Sequence, residues 1–366
     1  MACISSEPTE RYSFAAGPAM LPSAVLTQIQ NELPDWNHSG FSLLEQPFTS
    51  PAFKQLMAET EQNLRKLLSV PHNYRVLFVQ GGASAQFGLV PLNLLQPGQS
   101  ADYLESGHWA CKAIVEARRH SPVNVVASGA ADGFSALPKR ECWQLDPHAG
   151  YCHITSNETG NGLQLRDFPD VPVPLVADMT SDFLTRPIPV ERFGLIYASA
   201  QKNFGIAGLC LLIVREDLLR SPQRGLPAVF SFKVQAEQQS RFNTPPTFAL
   251  YVAALMLRWI EAQGGLAAME AHAREKSQRL YRCIEAGSFY RCRQQAADRS
   301  SINVCFELAD ARLLQPFLAD AERNGLFHLQ GHSHVGGVRA SLYNAMPLAG
   351  VDRLVAFMRD FESRHG

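Results

Sequence analysis

Residues able to do chemistry stand directly after short, mostly apolar runs, and this arrangement restricts the fold more than any other feature of the chain. Tyr74–Val79 is followed by Gly81 and Gly82, Leu175-Val176-Ala177 by Asp178, and Leu195–Ala198 by Ser199-Ala200-Gln201-Lys202. Leu209–Val214 is another such run, and Val123–Val126 a shorter one. Runs of this kind belong to strands covered on both faces, as in a mostly parallel sheet packed between helices. Helices are expected over Ala85–Leu95, where Pro91 must kink or end the element, and over Trp109–Arg119. Pro172 and Pro174 press against a strand over Val173–Ala177, so Leu175–Ala177 is its safer part.

Tyr251–Gln263, stopped by Gly264 and Gly265, and Ala268–Gly287 have helical length. Beyond them the pattern changes. Ile302–Leu308 alternates like a half-buried strand, Gly336–Leu342 reads as another, and Arg312–Asn324 and Val351–His365 read as helices. A chain of 366 residues suits two domains. The expected division is a large α/β domain over residues 23–260 and a smaller α+β domain built from 1–22 and 261–366.

A formal net charge of -1 gives no reason to expect nucleic acid or an anionic membrane as partner. The eight cysteines, Cys3 among them, form no CxxC pair, so reduced thiols are expected and no metal site is. The N-terminus MACISSEPTERYSF lacks the apolar stretch of a leader, and no apolar run reaches membrane-spanning length, so a cytoplasmic protein is expected.

The glycine pair before a helix lets backbone amides approach an anion, although a plain tight turn fits it equally well. Asp178 at a strand's carboxyl end sits where open α/β sheets place ligands, or else caps a turn. Lys202 is a surface lysine by base rate, but its setting between two strands rich in small residues argues against that.

Six ordered blocks resolve these alternatives: VLFVQGGASAQFGLVPLN, SNETGNGLQL, VADMTSDFLTRP, YASAQKNFGIAG, FNTPPTFALY and GHSHVGGVRASLYNAMP. With Phe14-Ala15-Ala16-Gly17-Pro18 near the start, they resemble the phosphoserine aminotransferases, a branch of the class V aminotransferases. The resemblance implies a fold type I architecture, with a mixed, mostly parallel seven-stranded sheet and a smaller α+β domain. It also implies pyridoxal phosphate as cofactor, bonded to Lys202, with Asp178 pairing the pyridine nitrogen, Trp109 stacked on the ring and Thr159 on the phenolic oxygen. Gly82, Ala83, Ser84, Thr180, Ser181 and Gln201 would hold the cofactor phosphate. Asn243 and Thr244 would reach it from the other subunit of a homodimer with shared active sites. Arg339 stands where the family binds the substrate α-carboxylate, and a guanidinium fork suits that task.

The substrate end departs from the family. Phe48 and Thr49 occupy the positions of a His-Arg pair, and Ser333 follows His332 where an arginine is usual. Asn161 and Ile206 are smaller departures, expected to alter loop stiffness alone. Loss of both arginines leads to the expectation of a non-phosphorylated 2-oxo acid as acceptor, with L-glutamate as donor. The alternatives are a genuine phosphoserine aminotransferase, its phosphate held by Arg241, His332 and His334, or a different pyridoxal phosphate reaction on an amino acid.

Overall fold

The structure, a computed structural model, describes residues 10–221 and 225–366. The expectations resting on residues 1–9 (the missing leader, Cys3 and the start of the smaller domain) lie outside the described residues.

Seven strands form the central sheet: β1 Tyr74–Gly81, β2 Ala101–Glu105, β3 Val123–Ser128, β4 Cys152–Thr155, β5 Leu175–Asp178, β6 Leu195–Ser199 and β7 Gly208–Arg215. Their order is β1-β7-β6-β5-β4-β2-β3. Only β7 runs against its neighbours, β1 and β6; the remaining pairs are parallel. The alternating residues of β7 show why both faces are covered. Leu209, Leu211 and Ile213 are buried in one apolar cluster, Cys210, Leu212 and Val214 in another. Each large side chain buried this way contributes about 1.5–3 kcal/mol before the entropy of ordering is subtracted.

One cluster is completed by helices Ala83–Leu94 and His108–Ala117, through Phe87, Val90, Ala113 and Ile114. The other is completed by helices Pro51–Leu68 and Thr247–Ala262. Ser50 caps the former, its hydroxyl accepting from the Phe53 amide at 3.2 Å, and Pro51 supplies a preset first helical residue. Pro91 is accommodated in the last turn of Ala83–Leu94, which runs three residues past it.

The remaining elements pack around a second apolar cluster. Strands Tyr290–Arg291, Asn303–Leu308 and Val338–Ser341 form an antiparallel sheet. Helices Gly265–Ile284, Leu314–Arg323 and Leu348–His365 cover it, with Phe306, Phe317, Phe357 and Phe361 in contact. Tyr12–Ser13 pairs in parallel with Leu326–Phe327, which ties the beginning of the chain to this part.

Among the described residues all seven cysteines are free. No helix among them is long and apolar enough to cross a membrane. What the fold delivers to function is one edge of the large sheet. There β1, β4, β5 and β6 end and β7 begins, so that Gly81 lies opposite Gly208, Thr155 opposite Asp178 and Ser199 opposite Cys210.

Candidate active site

A cavity of about 240 Å³ opens at that edge. It gathers Gly82, Ala83, Ser84, Trp109, Thr159, Asp178, Thr180, Ser181, Gln201, Lys202, His332 and Arg339, residues drawn from six separate stretches of sequence. Ala16 and Gly17 close one side. Gly17 has φ 144°, a conformation that favours glycine, and it lies against the lysine stem, where a Cβ would stand in ordinary contact 3.6 Å from Lys202 Cγ.

Lys202 follows β6 in a turn, and its Nζ donates to Thr159 Oγ1 at 2.6 Å. The same nitrogen lies 5.8 Å from the centroid of the Trp109 ring. Burial lowers the ammonium pKa to about 8; Asp178 opposes that shift, while Arg339 adds to it. Asp178 is the last residue of β5 and only 5% exposed. Its Oδ1 accepts from the Thr180 amide at 2.9 Å. Burial raises its pKa against the pull of Thr180 and Lys202, so a further cation beside it would favour the ionised form.

The cradle at the start of helix Ala83–Leu94 is tightly built. The Ala83 amide donates to Ser199 Oγ at 2.6 Å, and a Cβ on Gly82 would meet the same oxygen at 3.2 Å. The Ser199 amide in turn donates to Thr180 Oγ1 at 3.2 Å. Asn157 Nδ2 donates to Ser181 Oγ at 2.9 Å and to Asn303 Oδ1 at 2.8 Å, tying the cradle to the smaller sheet.

Three buried polar atoms around the cavity, Trp109 Nε1, Thr155 Oγ1 and Arg339 Nε, have no hydrogen-bond partner. Orphaned polar atoms lining one cavity are what a site built for a polar ligand leaves in its absence. A lysine whose pKa is lowered to about 8, a buried carboxylate, a flat indole and an end lined by amides and hydroxyls fit pyridoxal phosphate. When bound, that cofactor supplies an electron sink for bonds at the substrate Cα.

Other expected site residues are not brought here. Phe48 is half-buried against the large-domain core, Thr49 is exposed, and neither lines this cavity. Asn243 lines a different cleft beside Val79, Gln80 and Phe230, and the Gln80 side chain bonds the Thr244 carbonyl. Ser333 is exposed. Arg241 turns back on Gln239, donating to its Oε1 at 2.6 Å.

Glu158 went unremarked in the sequence, yet it places Trp109. The residue is 1% exposed, and its carboxylate accepts from the Trp109 and Ala110 amides, each at 2.9 Å. It thereby caps helix His108–Ala117, with burial raising its pKa to about 7. Gly107 is a glycine for the same reason, since a Cβ there would overlap Glu158 Cδ at 2.6 Å. A glutamate ahead of Thr-Gly-Asn gives no periodic or capping signal in sequence, because it caps a helix some fifty positions earlier. Glu158→Ala leaves two buried amides unpaired and is expected to cost about 2–4 kcal/mol, read from denaturant unfolding. Because the folded-state pKa lies above the unfolded one, stability attached to Glu158 is complete at acid pH and declines as pH rises through about 7.

The chain matches the model of the family "Aminotransferase class-V" over residues 11–354. It is 48% identical over 363 residues to a phosphoserine aminotransferase of Nitrosomonas europaea, covering 97% of this chain and 99% of the relative. It is 50% identical over 356 residues to that of Hahella chejuensis, again covering 97% and 99%. Among solved structures, the phosphoserine aminotransferase of Bacillus circulans subsp. alkalophilus superposes with a TM-score of 0.96 at 41% identity, covering 98% of this chain and 100% of that one. A pyridoxal-phosphate-bound phosphoserine aminotransferase from Trichomonas vaginalis gives 0.93 at 38% identity, covering 96% and 100%.

These likenesses overturn one expectation. The inference of a transaminase for a non-phosphorylated acceptor rested on two missing arginines, whereas the similarity to phosphoserine aminotransferases extends through nearly the whole chain at close to half identity. Within its own chain the Phe48 ring packs in part against the large-domain core. The other expectations of fold, cofactor and reaction class agree with the comparisons: this is a pyridoxal-phosphate-dependent aminotransferase, and the chain belongs to the class-V aminotransferases, on their phosphoserine aminotransferase branch.

Proposed function

We propose that the protein moves the amino group of L-glutamate to 3-phosphohydroxypyruvate, giving phosphoserine and 2-oxoglutarate. The observation that carries this reading is the full-length likeness to phosphoserine aminotransferases, 48% identical over 97% of the chain in one instance.

The geometry supports specific roles. Lys202 would hold the cofactor through Nζ, whose pKa burial lowers to about 8, and would then move the proton at the substrate Cα. Asp178 would pair with the cofactor's ring nitrogen, Trp109 would offer the ring a flat face, and Thr159 would offer a hydroxyl. Gly82, Ala83, Ser84, Thr180, Ser181 and Gln201 receive the cofactor phosphate. Arg339, with its Nε free, receives the substrate α-carboxylate.

The protein works as a homodimer in the cytoplasm. Phe41, Leu44, Phe230 and Phe242 are 62%, 60%, 47% and 45% exposed, and they flank the segments carrying Phe48-Thr49 and Asn243-Thr244. A partner seated on these side chains would bury them and bring Asn243 and Thr244 to the neighbouring site. The free thiols suit a reducing compartment.

The test is steady-state turnover of the holoenzyme with L-glutamate and either 3-phosphohydroxypyruvate or hydroxypyruvate. A preference of about 10²-fold or more in kcat/KM for the phosphorylated acceptor is expected, the usual consequence of charge-assisted recognition. Equal values would overturn the reading.

A further inference from the structure

Resting on the phosphorylated-substrate reading, we propose that His108, His334 and Lys112 join His332 as the anion-binding end of the substrate pocket. They would take the substrate's phosphate where arginines are missing.

The placement carries this. His108 opens helix His108–Ala117, and its ring centroid lies 4.1 Å from that of His332. It stacks on His334 at 5.2 Å, and His332 and His334 are 5.5 Å apart. Lys112 lies one turn along the same helix, with Nζ 5.2 Å from the Trp109 ring centroid. His332 lines the cavity with Lys202 and Arg339, and Trp109 stands 5.4 Å from His108, so the cluster begins where the cofactor end of the cavity stops.

The rings are also held in place. Asn161 Oδ1 accepts from the His108 amide at 3.0 Å, so this departure from the family positions the histidine. Gly160 lies between the two residues, where a Cβ would stand in ordinary contact, 3.6 Å from His332 Cγ and 3.7 Å from His108 Cβ. The His334 amide donates to His332 Nδ1 at 3.3 Å, which leaves the proton of a neutral His332 on Nε2 as a donor. His108 Nε2 is buried and has no partner.

Three imidazoles, Lys112 and Arg339 thus converge, and among the described residues no carboxylate is ion-paired with any of them. The nearby Glu158 carboxylate is engaged by the Trp109 and Ala110 amides. No group of three metal-ligating side chains among the described residues is arranged to hold a metal ion. An anion is the ligand that such a convergence of donors and cations satisfies. Burial and mutual repulsion, with Lys112 contributing, hold His108 down to about 4, and burial with Arg339 lowers His332. A dianion among these rings reverses the repulsion and raises both values, so binding takes up protons and tightens as pH falls from 8 toward 6.

Inorganic sulfate is the right probe, because it remains a dianion throughout that range. Calorimetric titration of the holoenzyme should show tighter sulfate binding at pH 6.5 than at pH 8.0 by about tenfold, with proton uptake revealed by buffers of different ionisation enthalpy. His334→Ala, at an exposed ring, and Lys112→Ala should each weaken sulfate and lower the phosphoserine-to-serine rate ratio by about tenfold. Lys139→Ala, at an exposed lysine that does not line the cavity, serves as the charge control. If wild-type enzyme converts phosphoserine but both variants keep the wild-type ratio and sulfate affinity, the cluster is not the phosphate site, while the phosphoserine reading stands. If wild-type enzyme leaves phosphoserine unreacted, that reading fails and this one with it.

Discussion

Lys202→Ala should abolish transamination, by about 10⁴-fold or more, and remove the visible absorbance of the lysine-bound cofactor. The expectation follows from where the lysine stands. Its Nζ is held at 2.6 Å from Thr159 Oγ1, beside the Trp109 ring and within the field of Asp178, and among the described residues no other lysine lines the cavity. Alanine would remove the proposed covalent anchor and the proposed proton carrier together. Cofactor uptake by the wild-type apoprotein should follow the same group. Only the neutral amine reacts with an aldehyde, and burial places its pKa at about 8, so the uptake rate should rise roughly tenfold per pH unit below 8 and level off above it. A lysine variant that retains the absorbance would remove Lys202 from its assigned role.

Asp178→Asn should lower the single-turnover rate by about 10²–10³-fold while the cofactor stays bound through Lys202. Asparagine preserves the size of the side chain and can still accept the Thr180 amide, now received by Asp178 Oδ1 at 2.9 Å. It cannot supply the negative charge. In the cofactor-free chain burial pushes this carboxyl up, and a protonated ring nitrogen beside it would favour the ionised form. Cofactor content measured alongside the rate separates this from simple loss of the ligand. An unchanged rate at full occupancy would mean that another group faces the ring nitrogen.

Residues whose partners are near in sequence, or that end an apolar strand, were legible from the start. Gly82, Asp178 and Lys202 each terminate or follow a buried strand, and the sheet edge brings them into one cavity. The strands Ala101–Glu105 and Cys152–Thr155 were not legible, because polar residues break their apolar pattern. Asp102 is buried with the Asn124 side chain at 2.8 Å and the Asp146 amide at 2.9 Å, and His153 Nε2 with the Tyr197 hydroxyl at 2.8 Å. Their satisfaction comes from chain far away in sequence, which no local window contains. Helix Pro51–Leu68 carries a Ser-Pro start and apolar residues at Phe53, Leu56, Met57, Leu64 and Leu68, and was readable though unread.

The substrate end failed for a related reason. Counting arginines at two aligned positions omits His108 and Lys112, which reach the same place on a helix about 220 positions earlier than His332. Asn161 was read as a matter of loop stiffness, whereas its side chain takes the His108 amide.

The central claim is that this chain uses a phosphorylated amino acid. Its most direct test is the single-turnover half-reaction of the holoenzyme, following the cofactor's spectral change on mixing with L-phosphoserine, L-glutamate or L-serine. The account predicts rapid conversion by phosphoserine and glutamate, with serine slower by about 10²-fold or more. Fast conversion by serine with phosphoserine inert would contradict it.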